Sequence, residues 1–110
     1  MLEGIFGNRA AERALLHIYH YGEIHASAIA KDYRTSLTAI RGQLDRFERA
    51  GILIAKTIGR SRIYSFNPKS SLMPPVRELI RIVYESIPLK ERERLFGERR
   101  RPRAKGKPIL

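Results

Sequence analysis

The sequence predicts a small, mainly α domain carrying one β-hairpin, and three observations lead there. Apolar residues recur at helical spacing in three stretches ahead of residue 51 and in a fourth after residue 75. Between them ILIAKTIGRSRIYSF (Ile52 to Phe66) is dense in β-branched and aromatic residues and is interrupted by Gly59. The chain's 110 residues suffice for one modest hydrophobic core.

In order along the chain, Ile5 and Phe6 precede a first helix, Arg9 to Tyr21. Asn8 is its N-cap, Ala11, Leu15 and Ile18 face inward with Tyr19 beside them, and Gly22 ends it. Glu23 to His25 has little helical character and suits a strand of one bridge. Ala26 to Tyr33 is a short second helix that turns Ile29 and Ala30 inward. The stretch DYRTS then runs directly into a third helix, Ser36 to Ala50, leaving too little chain to relax the angle between the two. On that third helix Leu37, Ile40, Leu44 and Phe47 share one arc, Ser36 is a good N-cap, and Gly51 suits a left-handed ending.

The outer arc of the third helix raises the functional question. It carries Thr38, Ala39, Gly42, Asp45, Arg46 and Arg49, with Arg41 and Gln43 on its flanks. Glycine inside a helix costs about 0.8–1.0 kcal/mol relative to alanine. A face that needed only solvation would more usually be filled with Glu, Lys or Gln. The small residues at 39 and 42 suggest that something approaches the backbone there; a tolerated surface glycine is the plainer alternative.

The hairpin divides into Ile52 to Thr57 and Ser61 to Phe66, with Ile58, Gly59 and Arg60 in the turn. Tyr64 and Phe66 share its inner face, while Lys56, Arg60 and Arg62 are displayed at the tip and flanks. Two tightly joined helices followed by a hairpin with a basic tip form a winged helix-turn-helix. After the wing, Pro75 suits the first turn of a further helix, in which Val76, Leu79, Ile80, Val83 and Ile87 recur at helical spacing and Tyr84 widens the stripe. Its partner is either the first helix of the same chain or the same region of a second chain. Pro88 breaks it, and Lys90 to Phe96 forms a short, exposed helix of alternating charge.

Charge narrows the partners. There are 22 Lys and Arg against 11 Asp and Glu, net +11, and the pI is near 10.7. Such a bias points to a polyanion, nucleic acid ahead of an anionic membrane surface. Residues 90–110 hold 9 basic and 3 acidic side chains, about half of the excess, so the chain divides into a folded domain, 1–89, and a basic tail, 90–110. In the tail Arg99, Arg100, Arg101, Arg103, Lys105 and Lys107 fall within nine residues, without an acid or a large apolar group. Such a segment cannot bury enough surface to order itself. It reads as a disordered, phosphate-seeking arm, or else as a solubilising end. It is similar only in part to the AT-hook, because Arg100 stands where that motif has its core glycine.

Other chemistries find little support. Cysteine is absent, which removes disulfides, thiolate metal sites and cysteine nucleophiles. His17 and His20 have a chelating spacing and His25 is not far on, but no carboxylate cluster completes a ligand set, so no metal or cofactor is expected. There is no phosphate-cradling glycine loop, no nucleophile elbow and no inward pair of carboxylates, and the expected protein is not an enzyme. No run approaches the roughly 18 apolar residues of a membrane span, and MLEGIFGNRAAERALL has no apolar core of signal-peptide length. A cytoplasmic location follows as the expectation. The aromatics Tyr19, Tyr21, Tyr33, Tyr64 and Phe66 are scattered over several elements and read as core and rim rather than as a base-stacking platform.

IHASAIAKDYRTSLTAIRGQLDRFERAGILIAKTIGRSRIYSFNP (Ile24 to Pro68) resembles the winged-helix core of ArsR-like and MarR-like transcription regulators, and the likeness extends over roughly residues 4 to 85. It rests on Ile29-Ala30, the Ser36 cap, the spacing of Ile40, Leu44 and Phe47, the exit Glu48 to Leu53, and Gly59-Arg60 followed by Tyr64. Two positions depart from the family pattern: Arg34 stands at a turn that usually has glycine, and Gly42 where a polar or basic residue is common. The resemblance implies a three-helix core with a wing and a C-terminal helix.

It also implies a division of labour. The helix from Ser36 would lie in the major groove with Thr38, Ala39, Gly42, Gln43 and Arg46 nearest the bases. Gln43 would pair with adenine, Arg41 or Arg46 with guanine, and the methyls of Thr38 and Ala39 would touch thymine. Ser36, His25, Ser27, Lys56, Arg60 and Arg62 would hold phosphates. Ion pairing with Asp45, Asp32 or Glu48 is the alternative for Arg46 and Arg49. The implied function is sequence-specific binding of double-stranded DNA by a homodimeric repressor whose effector the sequence does not name. Two alternatives stay open: a non-specific architectural DNA-binding protein, and an antitoxin-like module that docks a protein on the Ala39-Gly42 face.

Overall fold

The computed structural model describes residues 2–103, with side chains through Phe96. A helix too short to leave a periodic signal, α1 (Leu2–Phe6), comes first and buries Leu2. Asn8 then starts α2 (Arg9–Tyr21) as a capping residue does, its side chain accepting from the Ala11 N–H at 2.8 Å. A three-residue strand, β1 (Glu23–His25), leads to α3 (Ala26–Tyr33). The helix of the exposed glycine follows as α4 (Leu37–Arg49), capped by Ser36, whose hydroxyl accepts from the Ala39 N–H at 3.2 Å. Gly51, at φ 82°, is the left-handed exit expected there.

The hairpin is β2 (Leu53–Ile58) and β3 (Ser61–Phe66), with Ile58 opposite Ser61 and only Gly59 and Arg60 between them. Gly59 has φ 62° and Arg60 does not share its positive φ. A single left-handed glycine at the first of two turn positions is the type II′ arrangement, whose twist matches that of the strands. This tighter turn moves β2 one residue later than the sequence reading drew it. The short β1 joins the other edge of β3, giving an antiparallel sheet in the order β1-β3-β2 with Tyr64 opposite both Ile24 and Ala55.

The core forms where α2, α3 and α4 meet the inner face of this sheet. Leu15, Ile18, Ile29, Ile40, Leu44 and Leu53 are all but completely buried there, joined by Tyr64 and Phe66. Each aliphatic side chain so buried contributes on the order of 1.5–3 kcal/mol relative to exposure. Leu37 does not join them. As the first residue of α4 it lies at the rim of the apolar arc and is 37% exposed.

The fourth amphipathic stretch is α5 (Met73–Ser86), with Pro74 and Pro75 in its first turn. Its partner in the chain is α2: Ile80 and Val83 are buried, and Tyr84 meets Tyr19 with ring centroids 5.0 Å apart. The last helix, α6 (Leu89–Arg103), differs from the short, exposed segment read from the sequence. Phe96 is 1% exposed, stacked on His20 at 4.5 Å and 16°, and its carbonyl accepts from the Tyr21 hydroxyl at 2.6 Å. Phe96, with the half-buried Leu95 beside it, therefore ties a largely charged helix to α2. Of the expected basic arm, Lys105 and Lys107 lie outside the described residues, as do the side chains of Arg99, Arg100, Arg101 and Arg103.

Candidate nucleic-acid interface

Three chain segments converge on one side of the molecule: the first turn of α3, the outer face of α4 and the tip of the wing. A cleft of about 400 Å³ opens between them, lined by His25, Ser27, Arg41, Asp45, Arg60 and Arg62 among others. Between α3 and α4 the chain turns at a tight elbow. Arg34 adopts a left-handed conformation, φ 53°, which an L-residue with a long side chain rarely takes. Its N–H bonds back to Lys31 at 3.2 Å and the Thr35 N–H to Ala30 at 3.0 Å, closing α3 in a single step.

On α4, Thr38, Ala39, Arg41 and Gly42 are exposed, and Gln43 is half-buried. A Cβ placed on Gly42 would meet nothing within 4 Å. No internal packing calls for glycine at this position, so its reason, if it has one, lies outside the domain. Arg46 has work inside the chain: its guanidinium donates to the Phe6 carbonyl at 2.6 Å and to Gln43 Oε1 at 2.7 Å, and it lies over the Phe47 ring. The ion pairs considered for Arg46 and Arg49 do not form among the described residues. Arg46 is drawn to α1, a helix the sequence reading did not contain, and Glu48 is taken by Arg62.

Arg62 also has a structural occupation. It grips both oxygens of Glu48 at 2.7 and 2.8 Å and donates to the Tyr64 hydroxyl at 3.3 Å, which in turn donates to Asp45 Oδ1 at 3.2 Å. The Tyr64 hydroxyl and the Glu48 carboxylate hold its guanidinium still more firmly in the charged form. This network fastens the wing to the exposed helix. Lys56 pairs with Glu23 at 3.4 Å across the sheet. Arg41 and Arg60 are different: neither makes an ion pair or hydrogen bond among the described residues, and both line the cleft. Ser36 Oγ accepts in its cap and keeps its own O–H as a donor. His25 occupies the N-cap position of α3 without making a side-chain capping bond, and Ser27 is exposed in the turn that follows.

The expected packing stripe is split. Ile80 and Val83 are buried against α2, Val76, Leu79 and Ile87 are half-buried, and Ile82 on the opposite side is 52% exposed. Sequence reasoning passed over Glu48 and Asp45 as members of the site because their partners sit 14 and 19 residues further on. It also missed His17, which is wholly buried with Nε2 3.1 Å from Asp32 Oδ2 and Nδ1 3.3 Å from the Tyr33 hydroxyl. Among the described residues no three His, Cys, Asp or Glu side chains are arranged to hold a metal. No helix among them is long and apolar enough to cross a membrane.

No protein-family model and no curated protein matches the chain. Solved structures do. The antimony-specific transcriptional repressor AntR superposes with a TM-score of 0.58 at 21% identity, over 77% of this chain and 75% of that one. The YusO protein from Bacillus subtilis superposes with a TM-score of 0.54 at 17% identity, over 96% of this chain and 80% of that one. At such identities the likeness is one of fold: a mainly helical winged helix-turn-helix with a small three-stranded antiparallel sheet.

Proposed function

We propose that this winged-helix protein is a transcription regulator that binds double-stranded DNA in a sequence-specific manner and represses by occupying promoter DNA. The observation that carries the reading is the convergence of α3, α4 and the wing tip on one cleft, in which Arg41 and Arg60 have no partner in the described chain. An unpaired guanidinium at such a position suits a phosphate or a guanine edge.

In this reading α4 enters the major groove. Thr38, Ala39 and Gly42 offer a low surface to the bases, Gln43 pairs with adenine and Arg41 with guanine. Arg46, engaged by Phe6 and Gln43, orients Gln43 first and meets the bases second. His25, Ser27, Ser36, Lys56 and Arg60 take phosphates, Arg62 holds the wing in register, and the basic tail adds affinity without sequence preference. Two chains pair through the outer side of α5, where Ile82 is exposed, so that two such helices read half-sites about one turn of DNA apart. The protein works in the cytoplasm.

The test is fluorescence anisotropy with the protein's own upstream DNA and with a shuffled duplex of equal length, each across a salt series. The expected result is a preference of about 10³ or more for the native fragment at physiological salt. Gly42→Glu should abolish that preference and leave the circular dichroism unchanged, because Gly42 is exposed and a Cβ placed there meets no atom within 4 Å. Equal affinities that collapse together with salt would point instead to an architectural protein. No binding even at low salt would point to a protein-docking module.

A further inference from the structure

The elbow between α3 and α4 is held by a residue far from it in sequence. We propose that His17 is the positioning residue of the reading head: by fastening Asp32 and Tyr33 to α2 it fixes the angle at which α4 meets DNA, and Phe96 of α6 closes the brace. The proposal rests on the DNA-reading role assigned to α4 and adds what sets its geometry.

The geometry is specific. His17 is 0% exposed, and each of its ring nitrogens faces one of the last two residues of α3, Nε2 toward Asp32 Oδ2 at 3.1 Å and Nδ1 toward the Tyr33 hydroxyl at 3.3 Å. A carboxylate only accepts, so Nε2 donates, and in the neutral ring Nδ1 then accepts from the phenol. A wholly buried imidazole satisfied at both ends by adjacent residues of one helix defines that helix's position better than apolar contact does, because a slide of either element breaks both bonds. The next residue is Arg34, whose φ of 53° needs surroundings that over-determine it.

Three ring contacts complete the clamp. The Arg13 guanidinium covers the Tyr33 ring at 4.3 Å, while the His17 ring meets it edge-on at 4.9 Å. Phe96 reaches His17 from α6, with centroids 4.9 Å apart. The brace thus joins α2, the end of α3 and α6, and α4 begins four residues beyond the last of its α3 anchors.

The experiment compares His17→Phe, which keeps the ring volume and removes both nitrogens, with His17→Gln, which restores one polar end. Val83→Ala, a core truncation in α5, controls for general destabilisation. Amide hydrogen exchange is read at Arg34 and Thr35, and anisotropy measures the preference for native over shuffled duplex. For His17→Phe we expect exchange at the two elbow amides to rise about tenfold or more above the control. We also expect the preference to fall by about tenfold while affinity for the shuffled duplex holds. His17→Gln should recover part of both.

Elbow exchange no faster than in the control overturns the brace. Faster exchange with an unchanged preference overturns the positioning role. Faster exchange in a protein whose wild type shows no preference leaves the brace standing and removes the DNA-reading function. Should His17→Phe not fold, Tyr33→Phe, which deletes only the bond to Nδ1, carries the same readouts.

Discussion

Arg34 and Gly42 are exchanged relative to what backbone chemistry alone would choose, with a long side chain in a left-handed turn and no side chain in the middle of a helix. A left-handed L-residue costs roughly 1–2 kcal/mol. Arg34→Gly should therefore stabilise the domain by about 1 kcal/mol, raising Tm by roughly 4–8 °C in a thermal scan. If the same variant binds DNA less well, the arginine is kept for its charge. The neighbouring Tyr33 makes a pH prediction. Burial, opposed by the charge of Arg13 and aided by that of Asp32, pushes its phenol above the ordinary value. A raised folded-state pKa gives stability that is fully present below the unfolded value, near 10, and is lost as pH rises beyond it. Urea midpoints of the wild type should thus decline above about pH 10 more steeply than those of Tyr33→Phe. The two capping residues, Asn8 and Ser36, were legible because each signal and its partner lie within three residues. Arg34 was legible only through the resemblance, which puts a glycine at its turn and so a positive φ; His17 was not legible, because its partners come 15 and 16 residues later.

Elements with local start and stop signals were read correctly to the residue: α2, α3 and β3 keep the predicted bounds. Those fixed by tertiary contact were not. The helix α1 is five residues long and contains a glycine, so only its packing maintains it. Its first turn is tied down by the Leu2 N–H donating to Glu12 at 3.3 Å, and its end by Arg46 on the Phe6 carbonyl at 2.6 Å. The last helix, α6, is held by Phe96, which the sequence offered only as an aromatic among charges. Its inner surroundings are His17, His20, Tyr21 and Tyr84, all within 6.2 Å between ring centroids. Removing a buried aromatic ring typically costs about 3–5 kcal/mol. Phe96→Ala should approach the lower end, since one face of α6 is all it releases, and its signature should be a loss of helical ellipticity well below the main thermal transition. A variant that melts in one step at the wild-type midpoint would show that α6 does not depend on this anchor. On the wing, the sequence supplied the strands and the glycine but not the job of Arg62, because Glu48 and Tyr64 reach it only once the hairpin folds against α4.

At the scale of the whole molecule, net +11 on 110 residues makes binding to DNA strongly salt-dependent, and the slope of that dependence counts contacts. Each phosphate neutralised contributes about −0.9 to the slope of log K against log salt on duplex DNA. Arg60 is the residue to remove, because it stands at the wing tip, borders the cleft and has no partner in the described chain whose loss would disturb the fold. Arg60→Ala should leave Tm unchanged and lower affinity for native and shuffled duplexes alike, since a phosphate contact carries no sequence information. The change in slope then reports stoichiometry: about 0.9 if one chain binds, about 1.8 if two chains bind as one unit, because a single substitution deletes both copies of the contact. Ile82→Glu completes the measurement by burdening the exposed side of α5 with a charge. If two chains pair there, this variant should fall from the larger slope change to the smaller when combined with Arg60→Ala, with sedimentation showing a monomer. A slope change near 1.8 that survives Ile82→Glu would move the pairing surface elsewhere, and no change of slope on removing Arg60 would take the wing off the phosphate backbone.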